Sequence, residues 1–155
     1  MLIGADLSED SEIGDKVVVI GGGLVGCEQV LHMAEDGHQV VILEMQEELA
    51  SDCVVTHRVN LMHQLNNCDH IQMFTGARCT EITETGVKID RNGTEEMIAA
   101  DMVVLAAGMK ADNEQVERLR TIVPQTYIIG DCNKAGKIMR AVCDAYDAVT
   151  DFGLF

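Results

Sequence analysis

Three consecutive glycines follow the most β-prone run of this chain, and that junction constrains the fold more than any other feature. Lys16 to Ile20 reads KVVVI, with four β-branched residues in succession. Such a run suits a strand covered on both faces, as in a parallel sheet. It passes into Gly21-Gly22-Gly23. From Leu24 to Asp36 the apolar residues Leu24, Cys27, Val30, Leu31 and Ala34 recur at helical spacing. Gly37 follows, where a helix commonly ends in left-handed backbone. Gln39 to Leu43 (QVVIL) is a second buried strand, closed by Glu44. The pattern Gly21-x-Gly23-x-x-Gly26 therefore sits between a strand and a helix inside a βαβ unit. Each glycine has a physical task. Gly21 allows the tight exit from the strand, Gly23 leaves the backbone open to a ligand, and Gly26 brings the helix close to the sheet. The amides around Gly22, Leu24 and Val25 open the helix, where unpaired N–H groups and partial positive charge favour a pyrophosphate. The alternative is a glycine-rich turn without a ligand.

The remaining pattern extends this unit. Ser51 and Asp52 read as N-caps of a second helix, about 53–66, with Val55, Val59 and Met62 at helical spacing. Ile71 to Phe74 is a short strand. Residues 77–99 alternate, turn at 84–86 and again at Asn92-Gly93, and read as a three-stranded antiparallel meander. Asp101 to Ala107 is another buried strand ending at Gly108. Residues 109–125 are polar and hold the single proline. Tyr127 to Ile129 reads as a last strand, followed by Gly130-Asp131. Lys137 to Thr150 is a closing amphipathic helix with Ile138, Ala141, Val142, Ala145 and Val149 on one stripe. The expected fold is α/β: a Rossmann-like three-layer domain with a parallel sheet, flanking helices and an antiparallel β-meander. Residues 1–15 form an acidic lead-in, and 16–125 form the nucleotide-binding domain.

Charge restricts the partners. The 155 residues carry a net charge of −15, which repels nucleic acid and anionic lipid. A phosphate ligand must then be held by backbone amides and a helix dipole, which the glycine turn supplies. No apolar run approaches the ~20 residues of a membrane helix. The acidic N-terminus is not a secretory signal, so a cytoplasmic location is expected. The six cysteines form no C-x-x-C pair and read as free, mostly buried thiols. Cys53 and His57, and Cys68 and His70, are close pairs, yet a zinc site needs three or four converging ligands, so no metal site is expected. No G-x-S-x-G elbow is present.

Glu44 closes the second strand. A carboxylate there can accept hydrogen bonds from the hydroxyls of an adenine ribose and would repel a 2′-phosphate; the alternative is a solvated strand-end acid. Met45, Gln46, Glu47 and Glu48 bring no cation, which favours NADH over NADPH. At this point the motifs VVVIGGGLVGCE, VVILEM, ADMVVLAAG, YIIGDC and GKIMRAVCDAYDA resemble the pyridine-nucleotide-binding region of FAD/NAD-linked flavoprotein reductases. The resemblance covers about residues 12–150 and looks nearest to the 2-enoate and 2,4-dienoyl-CoA reductase group. It implies that Gly21, Gly23 and Gly26 cradle the NADH pyrophosphate. Glu44, beside Met45, holds the adenosine ribose. Glu28 matches an acid on the nicotinamide side of the helix, or is a surface acid. Ala107 and Gly108 match a turn beside the dinucleotide. Asp131 matches an acid that binds the FAD ribityl chain, or is a turn residue. Residues 126–155 then correspond to the C-terminal segment of an FAD-binding domain.

The departures shape the expectation. The family's FAD unit precedes the NADH unit, and 15 residues ahead of Lys16 are too few for it. The FMN barrel and iron–sulfur ligands of the resembled enzymes have no counterpart here. The chain reads as a domain of an NADH-dependent oxidoreductase that passes hydride to FAD, inactive by itself, with the FAD half and catalytic barrel as partners. No residue is assigned as catalytic acid, base or nucleophile, because the coenzymes carry that chemistry. Self-association into a homo-oligomer stays open. The rival readings are a stand-alone dinucleotide-binding module without turnover, and an S-adenosylmethionine-dependent methyltransferase, which the AAG and IIGDC motifs disfavour.

Overall fold

The computed structural model describes residues 2–3, 13–111, 113–123 and 125–151. In chain order these form β1 (Leu2–Ile3), β2 (Lys16–Ile20), α1 (Leu24–Glu35), β3 (Gln39–Leu43), α2 (Val55–Asn66) and β4 (Ile71–Phe74). Then come β5 (Ala77–Thr83), β6 (Gly86–Arg91), β7 (Thr94–Ala99), β8 (Met102–Leu105), α3 (Asn113–Arg120), a 3-10 turn (Gly130–Cys132) and α4 (Ile138–Asp151). The chain divides into two compact units between Gly108 and Met109, ahead of the 125/126 boundary that the sequence suggests.

The first unit is a Rossmann-like α/β fold in three layers. A five-stranded sheet runs in the order β1-β8-β2-β3-β4, with every pair parallel. The antiparallel sheet β5-β6-β7 covers one face of it, as the meander pattern predicts. The β-branched run explains the arrangement. Along β2, Val17 and Val19 join Cys27, Val30 and Met33 of α1 and Leu61 and Leu65 of α2 in one cluster. Val18, with Leu43 and Val103, packs against Val87 and Ile89 of the meander in another. Alternate side chains enter opposite layers, so no position in the strand's middle tolerates a polar residue.

α1 ends as expected. The Gly37 N–H donates to Ala34 O and the His38 N–H to Met33 O, both at 3.1 Å, with Gly37 at φ +97°. That is a Schellman closure around a glycine.

Several expectations need correction. The acidic lead-in lies mostly outside the described residues, but Leu2–Ile3 is an edge strand pairing with Val104 and Leu105 of β8. No strand forms at 127–129. The Ile129 backbone is extended, yet extended backbone becomes a strand only through a ladder, and neither sheet includes it. α2 turns a different face inward. Val55 and Val59 are exposed, and Leu61 and Leu65, also four apart, are buried with Met62 beside them. Two competing stripes exist on that helix, and the larger leucines bury more apolar surface. The stripe of α4 exists, but none of its residues is buried. The thiols also differ from expectation. All six are free, while only Cys27 is buried and Cys132 and Cys143 are exposed.

Candidate functional site

The order β1-β8-β2-β3-β4 places β2 where the connections diverge, with β3 on one side and β8 on the other. In open parallel sheets ligands bind outside the carboxyl ends of the strands at such a switch point. The glycine turn leaves β2 there. It is fixed from three sides. Gly21 N–H donates to Leu43 O at 2.9 Å, Ala106 N–H donates to Ile20 O at 2.8 Å, and Ala50 N–H donates to Gly22 O at 2.7 Å.

Packing explains the glycines. Gly21 sits at φ +113°, and a Cβ on it would stand 2.6 Å from the Ala106 carbonyl carbon. A Cβ on Gly22 would stand 2.7 Å from Glu44 Cβ and overlap the Leu49 side chain. A Cβ on Gly26 would run into the Gly21 carbonyl, so the first turn of α1 lies directly on the chain leaving β2. Gly23 is different. A Cβ there would meet nothing nearer than Asp52 Oδ1 at 3.5 Å, and only the Asp52 carboxylate stands within 4 Å. The first bond of the helix ladder runs from Cys27 N–H to Gly23 O at 3.0 Å, so the Leu24, Val25 and Gly26 amides precede it.

A crevice of about 430 Å³ opens at this end of the sheet. That is within the size range of small-molecule sites. Gly21, Gly23, Leu24 and Val25 line one side, and Glu44 and Met45 another. Ala106, Ala107 and Gly108 line the β8 side. Of the sequence-derived candidates, Gly22 and Gly26 are packed beneath the crevice rather than lining it. Glu28 is outside it, with His57 Nε2 of α2 3.9 Å from its carboxylate. Asp131 belongs to the second unit, where its Oδ1 accepts a hydrogen bond from Gly136 N–H at 3.1 Å and closes its own turn.

Glu44 serves the turn directly. Its Oε2 accepts from Gly22 N–H at 2.6 Å and its Oε1 from Gln46 N–H at 2.8 Å. Each oxygen keeps a further lone pair for a ligand hydroxyl. Asp52 does not cap α2, whose N-cap is Val54 without a side-chain bond. It caps α1 across space instead, with Oδ1 accepting from Leu24 N–H at 2.8 Å. Burial pushes the Cys27 thiol up to about 11, helped by the Asp52 and Glu44 carboxylates. Burial also raises the Cys79 thiol on the crevice wall. Neither is poised as a thiolate nucleophile.

Two charged residues of the crevice are given no ligand role by the sequence, Asp52 and Arg78. Residues 45–48 bring no cation, whereas Arg78 arrives from β5, 3.7 Å from Asp90. Topology is the available signal. Both residues follow the carboxyl end of a parallel strand, β3 or β4, and such loops gather at one edge of the sheet. Among the described residues no group of three or more His, Cys, Asp or Glu converges on a metal position. No helix among them is long and apolar enough to cross a membrane.

Known proteins resemble this chain in sequence and fold. The chain is 33% identical over 145 residues to cinnamate reductase of Clostridium sporogenes, covering 91% of the chain and 22% of that protein. It is 38% identical over 134 residues to NADH oxidase of Thermoanaerobacter brockii, covering 85% of the chain and 20% of that protein. The fold superposes on a solved 2-naphthoyl-CoA reductase complex with a TM-score of 0.79 and 31% identity, covering 89% of the chain and 21% of that structure. The chain thus spans about a fifth of the length of these relatives. A family model matches residues 3–148, which include the glycine turn, every strand from β2 to β8 and most of the closing helix. The chain belongs to the pyridine nucleotide-disulphide oxidoreductase family of FAD/NAD-linked flavoprotein reductases.

Proposed function

We propose that this chain is the NADH-binding segment of a flavin-dependent reductase that passes hydride from NADH to FAD and reduces an enoate or a similar unsaturated substrate. The single observation behind this is the glycine turn: amides at the start of α1 and the Glu44 carboxylate face one crevice at the switch point of the sheet. The amides of Leu24 and Val25 suit the diphosphate. Glu44, already tied to Gly22 and Gln46, suits the adenosine ribose hydroxyls, with Met45 beside it. Ala107 and Gly108 form the wall along which the nicotinamide half extends, and Glu28 stands further along α1. When bound, the nicotinamide supplies the hydride and the flavin accepts it. This chain's residues bind and orient, and none is assigned acid–base work.

Asp131 and the start of α4 are proposed to face FAD in the complete enzyme, with the FAD half and catalytic barrel on other segments. FMN and an iron–sulfur cluster, where the complete enzyme holds them, would also lie there. The names of the relatives, cinnamate reductase and 2-naphthoyl-CoA reductase, support the unsaturated-acyl assignment. The family match supports a nicotinamide coenzyme over S-adenosylmethionine.

Titration of the chain with NADH by fluorescence tests the reading. Saturable binding is expected, with NADPH at least ~10-fold weaker because Glu44 repels its extra phosphate. Equal affinity for the two coenzymes would remove the discriminating role of Glu44 and direct attention to Arg78. No binding of either would reject the reading.

A further inference from the structure

The Asp52 carboxylate stands where an anionic ligand of the glycine turn would dock. Its Oδ1 accepts from Leu24 N–H at 2.8 Å, across 28 residues of chain. It also lies over Gly23, the one glycine of the turn with room above its backbone. Leu24 opens α1, and its amide is one of the donors that precede the ladder. Asp52 and its neighbour Ser51 line the crevice. The geometry of Glu44 is different, since its carboxylate takes the Gly22 and Gln46 amides and meets hydroxyls, not phosphates, in the proposed complex.

We propose that Asp52 is an internal competitor for the coenzyme's diphosphate: it holds the Leu24 amide in the ligand-free protein and gives it up when a diphosphate is seated. The proposal rests on the reading of the crevice as a dinucleotide site. One N–H serves one strong acceptor at a time, and two anions at the same helix end repel each other. The same contact caps α1 while the crevice is empty. Removing the acid therefore has two effects of opposite sign. The diphosphate binds more tightly, and the ligand-free fold loses a cap.

The test is a titration of the full chain and its Asp52→Asn and Asp52→Ala variants with NADH, ADP and adenosine, alongside thermal melts without ligand. NADH and ADP are expected to bind about three- to tenfold more tightly to both variants, the range that one charge at a helix end commands. Adenosine, which lacks phosphate, is expected to bind all three proteins alike. The ligand-free Asp52→Ala protein is expected to melt a few degrees lower, roughly the loss of one cap. Unchanged or weaker NADH and ADP binding in the variants would overturn the proposal, as would a parallel change for adenosine. Should Asp52→Ala fail to fold, Asp52→Asn decides, because it keeps one acceptor oxygen for the Leu24 amide and removes the charge. Absence of NADH and ADP binding in all three proteins would instead reject the dinucleotide site itself. Binding by wild type with no gain in the variants rejects only the competitor.

Discussion

Two glycine turns in this chain carry motifs that point to a coenzyme, and they are built differently. The turn at residues 21–26 lies on a packed base. Gly22 and Gly26 are buried, and Gly21 is pressed against Ala106 of the neighbouring strand's end. The turn at residues 130–136 is held by short local bonds, Cys132 Sγ to Ile129 O at 2.9 Å and Gly136 N–H to Asp131 Oδ1 at 3.1 Å. Every buried hydrophobic residue among those described lies between Val17 and Val104. The first turn owes its shape to the core beneath it, and the second to local bonds and to α4, whose Ala141 stands against Gly130. A local motif becomes a defined site where tertiary packing leaves the backbone no alternative.

The largest expected effect separates the two turns. Gly26→Ala forces α1 away from the Gly21 carbonyl and is expected to cost about 2–4 kcal/mol in urea unfolding, with loss of NADH binding. Gly136→Ala meets nothing nearer than 3.6 Å and is expected to stay within about 0.5 kcal/mol. A tolerated alanine at Gly26 would mean that the first turn is as loosely held as the second. Cys27, at the base of the first turn, gives the next largest effect. Its folded-state value of about 11 exceeds the ordinary thiol value of 9.0, so between those pH values the folded chain retains a proton that the unfolded chain releases. Stability is then fully present below pH ~9 and declines toward pH ~11, by about 2 kcal/mol. Urea melts from pH 8 to 11 check this, and a Cys27→Ala variant should lose that part of the slope. A flat profile in the parent protein would show a base open to water.

How far the sequence foretells this arrangement follows from the range of the forces involved. β2, α1 and β3 are legible because KVVVI, the helical spacing after the glycines and Gly37 are local signals. The meander at 77–99 is legible through its alternation and Asn92-Gly93, where Asn92 takes φ +55°. The inward face of α2 is not legible, because Val55/Val59 and Leu61/Leu65 are equally periodic and the sheet chooses between them. Asp52 shows the same limit at the site. Its type and position suit a helix cap, and it is one, but the helix it caps is brought to it by the sheet. Arg78 reaches the crevice by the same means. Glu44 is legible because its position at a strand end fixes it beside the glycine turn by backbone geometry alone.

Glu44→Ala sharpens the comparison at the ligand. The variant loses the acceptor for Gly22 N–H as well as the proposed ribose contact, so NADH affinity should fall by roughly tenfold or more while NADPH falls less. The matching change in the second unit, Asp131→Ala, should leave NADH titrations of this chain unchanged. Equal losses from the two variants would place both acids in one site.

The smallest expected effect concerns α4. Ile138, Val142 and Tyr146 recur every fourth residue and are 84%, 58% and 68% exposed. Apolar side chains already in water gain nothing from burial, and alanine is a better helix former than isoleucine or valine. Ile138→Ala/Val142→Ala is therefore expected to change unfolding free energy by less than about 0.5 kcal/mol, toward stability where any sign is resolved. On its polar side the helix carries one i,i+4 pair, Arg140 Nε donating to Asp144 Oδ1 at 2.7 Å, which neither substitution touches. A loss above about 1.5 kcal/mol in urea would mean that the stripe is covered in solution. Concentration dependence of that loss would then separate a second copy of the chain, which dilution removes, from burial within one chain, which it does not.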